Sequence, residues 1–183
     1  MLSPSNTQIE ELRYPIGRFQ LPMERSKMLA VGYIQAIEQL PGQMAEAVHG
    51  LSQEQLDTPY RPEGWTVRQV VHHTADSHMN SIIRFKLTLT EEYPTIRPYH
   101  EDRWAELEDG KRAPVDISLQ LLASLHRRWT MMLRNMSEED FDRQFFHPAS
   151  KSSMNLYEAA AMYAWHGRHH LAQITELKKR KAW

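Results

Sequence analysis

No cysteine occurs anywhere in the 183 residues. That removes disulfide frameworks, cysteine nucleophiles and thiolate metal sites together, and it suits a reducing compartment. No apolar stretch approaches the roughly 18–20 residues that a membrane-spanning helix needs. Neither sign of charge prevails: 22 basic against 23 acidic side chains leave a formal net charge of -1 with histidine neutral. The broad positive field used in non-specific duplex binding is therefore missing. The opening Met1-Leu2-Ser3-Pro4-Ser5-Asn6 lacks the basic and apolar regions of a secretory signal. The expectation is a soluble, cytoplasmic protein.

The 41% hydrophobic and 25% charged residues have the balance of a folded chain. A chain of this size buries enough surface to fold without a metal or a crosslink, so any metal site has to be argued from its chemistry. Ten histidines stand out, five of them in two tight groups: His72 and His73, then His166, His169 and His170.

Residues 1–22 read as an irregular N-terminal arm punctuated by Pro4, Pro15 and Pro22, with Tyr14, Ile16 and Phe19 to tie it to a core. From Ser26 the pattern is helical, interrupted at Pro41-Gly42, which fits one kinked helix or two consecutive ones. Capping boxes at Ser52/Gln55, Thr66/Gln69 and Asn155/Glu158 predict helix starts. The second long helix runs from Thr66 to about Thr90, and a proline-broken connection of roughly twenty-five residues follows, where Trp104 to Leu107 fits a helical turn. A third helix is predicted from about Asp116 or Ser118 to Asn135, then a short turn at Ser137 and a small hairpin near Phe146. The fourth helix extends to about Lys179, where Lys178-Lys179-Arg180-Lys181 meets the negative pole of the helix dipole. The sum is an all-α chain of four long helices.

His166 and His170 are one turn apart, so their imidazoles share a face with β-carbons about 6 Å apart. That spacing chelates a divalent ion through neutral ring nitrogens. The apolar Ala159 to Trp165 run before them places the pair on an interior face. A third histidine from a neighbouring helix would leave a coordination position open for water or substrate. His73 lies on the mixed line Thr66, Gln69/Val70, His73, Asp76/Ser77, Asn80, whereas His72 sits about 100° away. His73 is the better third ligand, and Asp76 is a candidate fourth ligand or acceptor for a ligand's second nitrogen. The blander readings are a metal-free polar network, His72 satisfied by a backbone carbonyl, and His78 and His169 on the surface or behind the ligands. Trp65 and Trp165 read as packing residues beside the histidines.

The stretch Leu56-Asp57-Thr58-Pro59-Tyr60-Arg61-Pro62-Glu63-Gly64-Trp65-Thr66-Val67-Arg68-Gln69-Val70-Val71-His72-His73-Thr74-Ala75-Asp76-Ser77-His78-Met79-Asn80 closely resembles the YfiT-type metal-dependent hydrolases of the DinB/YfiT-like superfamily. Arg84-Phe85-Lys86, Ile96-Arg97-Pro98-Tyr99, His126-Arg127-Arg128-Trp129, Phe146-His147-Pro148 and the His166–His170 segment are similar to that group as well. The resemblance runs from about Tyr14 to the C-terminus. It implies a DinB/YfiT-like four-helix bundle with the arm 1–22 packed on it and residues 23–183 as a single metal-binding domain. It further implies one zinc or nickel ion per chain on His73, His166 and His170, a cytoplasmic location and a homodimer. Ten methionines and five tryptophans leave apolar surface that an interface would cover.

Two enzyme readings compete with one that is not enzymatic. In metal-assisted hydrolysis the candidate bases are Asp76, Glu158 and, as a proton shuttle, His169. In transfer of a low-molecular-weight thiol, an activity described for relatives that use bacillithiol, no base is required, because the metal's charge favours the thiolate. Arg68, Arg84, Arg97 and Arg168 are available to hold carboxylates on such a small-molecule substrate. A metal sensor or structural bundle would use the same histidines with a saturated coordination shell. No DNA-reading element accompanies the bundle, so no nucleic-acid partner is expected.

Overall fold

Side chains that accept from backbone N–H groups begin the helices where the sequence places them. The structure, a computed structural model, describes residues 6–183. Ser26 caps α2 (Lys27–Val48), Ser52 caps the short α3 (Gln53–Leu56), and Thr66 caps α4 (Val67–Thr90). At α4 the Thr66 hydroxyl accepts from Gln69 N at 3.2 Å while Gln69 Oε1 accepts from Thr66 N at 3.0 Å. Two otherwise orphaned N–H groups are thus satisfied reciprocally. Asn155 and Glu158 do the same at the start of α9 (Leu156–Lys181).

Pro41 lies inside α2, which is a single helix across the Pro41-Gly42 pair. The arm is not wholly irregular: α1 (Asn6–Arg13) is helical, while residues 1–5 lie outside the described part. Tyr14 and Phe19 anchor the arm on α9, with ring centroids 5.5 Å from His169 and 5.8 Å from Trp165, whereas Ile16 is exposed. The connection after α4 contains two short helices, α5 (Glu101–Trp104) and α6 (Glu108–Arg112). The third long helix, α7, spans Val115–Arg134, followed by α8 (Glu138–Asp142) and the antiparallel pair β1 (Gln144–His147) and β2 (Ser152–Asn155).

Helices α2 and α4 each pack against both α7 and α9. The four therefore form a closed ring with α2 diagonal to α4. Their interior is divided into two apolar clusters. One contains Ile34, Ile37, Ile82, Phe85, Trp129, Leu133 and Tyr163. The other contains Leu40, Met44, Val67, Val70, Val71, Ile174 and Leu177. Between these clusters, at one level of the bundle, lie His73, His78, His126, His166 and His170, of which only His166 is more than marginally exposed. Gly167 lets α2 approach this level closely: a β-carbon there would lie 2.4 Å from Leu40 Cδ2.

Candidate metal centre

Three imidazoles converge where α4 and α9 face each other. His166 Nε2 lies 3.3 Å from His73 Nε2 and 3.2 Å from His170 Nε2, and the three ligand atoms all fall within 4.8 Å of one another. Tetrahedral zinc with bonds near 2.0–2.1 Å would separate ligand nitrogens by about 3.3 Å. Among the described residues no other cluster of histidines or carboxylates has this geometry.

Hydrogen bonds behind the rings determine whether these nitrogens can accept a cation. Gln173 Nε2 donates to the Arg13 carbonyl at 3.0 Å, which orients the amide so that Oε1 faces His170 Nδ1 at 2.8 Å. His170 Nδ1 must then carry the proton, leaving Nε2 bare. His166 Nδ1 is likewise engaged, 3.1 Å from His78 Nε2. Burial holds both His166 and His170 well below the usual histidine range, so both are neutral near pH 7. The bare His170 Nε2 thus meets the ring nitrogens of two further imidazoles, that of His166 at hydrogen-bond distance and that of His73 within 4.8 Å, as ligands around one cation do. The donor set therefore fits a divalent ion, with His73, lowered by burial to about 4, as third ligand.

The histidines sit at the floor of a cleft of about 390 Å³. Trp65 covers one side, its ring centroid 4.5 Å from that of His73 and 6.4 Å from that of His170. Trp165 does not face the ligands; it stacks on His169 at 4.7 Å and 15°. Both tryptophans pack on imidazoles, as expected.

Of the candidate bases, only His169 lines the cleft. Its Nε2 accepts from Gln173 Nε2 at 3.0 Å and its Nδ1 is buried without a partner, so it is not a free base. Glu158 is corrected to a structural role: it closes the Asn155 cap and lies 3.6 Å from Arg25. Eight residues before His166, it is about 12 Å away along the helix axis. Asp76 is half-buried, raised to about 6 by burial and by the charge of Asp109, and is absent from both the histidine cluster and the cleft wall.

None of the four arginines named as available to hold carboxylates lines the cleft. Arg68 is buried and bonded to Asp57, Gln53 and the Ala113 carbonyl, and Arg84 donates to Tyr163 Oη. Arg168 donates to the Ala164 carbonyl, and neither it nor Arg97 lines the cleft. The cleft's arginines are Arg13 and Arg61, opposed by exposed carboxylates at Glu63, Glu101 and Asp102. His72 bears out its blander reading, bonding Ser118 Oγ at 2.7 Å and the Ala113 carbonyl at 3.0 Å. His78 is fully buried and lies behind the ligands, the second of its two readings, bonded to His166, while His126 and Gln173 are parts of the site that local pattern did not single out. For Gln173 a signal was present: it is one turn past His170 on the same face.

The DinB superfamily family model matches residues 36–174. Proteins of Bacillus cereus (strain 03BB102) and Bacillus thuringiensis subsp. konkukian, each named "Putative metal-dependent hydrolase", are 53% identical over 175 residues, covering 96% of this chain and 100% of theirs. YfiT from Bacillus subtilis, described as a probable metal-dependent hydrolase with an unusual four-helix bundle topology, superposes with a TM-score of 0.93 at 51% identity. That match covers 94% of this chain and 99% of YfiT.

Proposed function

The chain belongs to the DinB superfamily, and from that membership and the three converging imidazoles we propose that it is a metal-dependent hydrolase of a small molecule. The observation that carries the proposal is the convergence of the His73, His166 and His170 ligand nitrogens within 4.8 Å of one another at the floor of an open cleft. We assign one divalent ion, zinc or nickel, to His73, His166 and His170. Such an ion supplies Lewis acidity, lowering the pKa of water toward about 7 and polarising a substrate oxygen.

The chain's own residues then divide the remaining work. Gln173 holds the His170 ring through Nδ1, and Trp65 shields one side of His73 and His170 from water. Arg13 and Arg61 offer positive charge to a substrate carboxylate, and Glu101 and Asp102 offer negative charge across the cleft. A zwitterionic small molecule matches this lining.

One observation favours thiol transfer as a second reading. None of the three residues considered as bases is free at the cleft floor, and thiolate formation under a metal's charge needs none. One panel separates the readings: esters, amides, bacillithiol, glutathione and cysteine, each assayed with and without metal. Metal-dependent ester or amide cleavage supports hydrolysis. Conjugation of a thiol to a soft electrophile without cleavage overturns it, and silence in both assays returns the bundle to a sensor or structural role.

We further infer a homodimer in the cytoplasm. Met28 and Val31 on α2 and Met131 on α7 expose 80%, 46% and 62% of their surfaces on adjacent helices. Sedimentation at micromolar concentration tests the assembly, and a strictly monomeric species would reject it.

A further inference from the structure

A proline in the interior of a helix leaves a carbonyl without its usual donor, because it has no N–H to offer four residues back. In α2 the residue is Pro41 and the carbonyl is that of Ile37. His126 Nδ1 lies 2.5 Å from this oxygen. A carbonyl can only accept, so His126 Nδ1 bears a hydrogen. His126 is buried, and burial lowers it to about 4, so the ring is neutral and its Nε2 is bare.

The direction of every following bond is then determined. His126 Nε2 accepts from His78 Nδ1 at 2.8 Å, the two rings lying within 4° of parallel. His78 is fully buried with both ring nitrogens facing other imidazoles, an environment that disfavours a charged ring, so with Nδ1 donating to His126 its Nε2 is bare in turn. That nitrogen accepts from His166 Nδ1 at 3.1 Å, leaving His166 Nε2 bare toward His73 and His170. The series crosses all four long helices, from α2 through α7 and α4 to α9.

We propose that Pro41, His126 and His78 are positioning residues that fix His166 as its Nδ1–H tautomer, through a hydrogen-bond series anchored on the Ile37 carbonyl that Pro41 leaves free. The lone pair of His166 Nε2 is thereby aimed into the cluster before any cation arrives. The consequence for metal affinity rests on His166 being a ligand, as proposed above; the tautomers themselves do not.

The decisive measurement is made on metal-free protein labelled with 15N at histidine, where long-range proton–nitrogen correlation distinguishes the two neutral tautomers. His126, His78 and His166 should all show Nδ1–H. An Nε2–H pattern at His78 or His166 in the parent protein would overturn the proposal without any variant. His126→Leu removes the acceptor for His78, so His78 and His166 should become mixed or inverted and metal affinity should fall about 10–100-fold. His126→Gln puts an amide oxygen near the lost Nε2 and should restore both readouts to within about threefold. Pro41→Ala returns a competing N–H to the Ile37 carbonyl and should move the His126 Nδ1 proton resonance upfield; an unchanged resonance would strike Pro41 from the series. Unaltered tautomers and affinity in His126→Leu would overturn the whole assignment. His166→Ala keeps the two readings apart: normal metal binding in that variant would sink the ligand set while leaving the parent tautomers to be judged alone.

Discussion

The backbone carbonyl of Arg13 accepts from the Gln173 side-chain amide at 3.0 Å, and this contact between the arm and α9 decides the protonation of His170. With the amide reversed, oxygen would face oxygen at Arg13, and His170 would lose its acceptor. Gln173→Leu should therefore leave a buried His170 Nδ1–H unpaired, costing about 1–3 kcal/mol. Metal affinity should drop about 10–100-fold, read by competition with a chromogenic chelator. Gln173→Glu keeps an acceptor for His170 and should retain more affinity than the leucine variant. Equal affinities in the two would contradict the role given to the amide oxygen.

The ligand set gives a sharper contrast. Single alanine replacements of His73, His166 and His170 should each abolish stoichiometric metal in the purified protein, measured by elemental analysis. His169→Ala should stay within about threefold of the parent, because Gln173 keeps both its Arg13 and His170 partners. Full metal content in all three ligand variants would remove the site.

Glu158 offers the opposite separation. Its carboxylate completes the cap of α9. Glu158→Ala should lower stability by about 1 kcal/mol in chemical unfolding. Turnover per folded molecule should be unchanged, and a loss of turnover with intact stability would restore Glu158 as a catalytic candidate.

Acid should destabilise the metal-free protein. Burial lowers His73, His126 and His169 from 6.5 to about 4 and holds His78, His166 and His170 well below the usual histidine range. Between about pH 6.5 and 4 the unfolded chain takes up protons that the folded chain refuses, so stability falls as pH falls through this window. Asp76, raised from 3.8 to about 6, acts in the reverse sense between those values, as one group against several. Between pH 7.5 and 5 each histidine lowered to about 4 should contribute a loss of roughly 2 kcal/mol. A urea midpoint that holds or rises on acidification would show that these rings are not buried as neutral groups.

Gly167→Ala tests the packing beside the site. Its β-carbon would meet Leu40 Cδ2 at 2.4 Å, and Leu40 is itself buried. Overpacking costs about 1–3 kcal/mol, against a gain near 1 kcal/mol from alanine's helix preference. The net should be destabilising, and adding Leu40→Ala should give less than the sum of the two single effects.

These contrasts follow from what local pattern can and cannot express. The capping boxes at Thr66 and Asn155, the helical period and the His166/His170 pair are short-range features, and the structure has the predicted helices close to their expected bounds. His126 is fifty-three residues from His73, and its role depends on a carbonyl of a third helix, so no spacing rule points to it. Glu158 carried two readings at once, cap and base, and sequence proximity to His166 could not choose between them. Which arginines face the cleft was not legible for the same reason: Arg13 reaches it only because the arm folds back on α9. Helix α1 went unread because Ile9 and Leu12 are the only large apolar residues in its eight positions.

The belt of imidazoles between the two apolar clusters has a consequence for how the molecule comes apart. Alkyl side chains at that level would have added to the water-driven cohesion of the bundle, and the histidines forgo it in exchange for hydrogen bonds and a cation. The three helices that supply the imidazoles, α4, α7 and α9, thus carry polar rings at the waist and apolar side chains toward both ends. Stripping the metal should speed amide hydrogen exchange first around residues 73–78 and 166–170, well before the ends of the same helices. A bundle of this kind can open at its middle while its two hydrophobic halves stay closed.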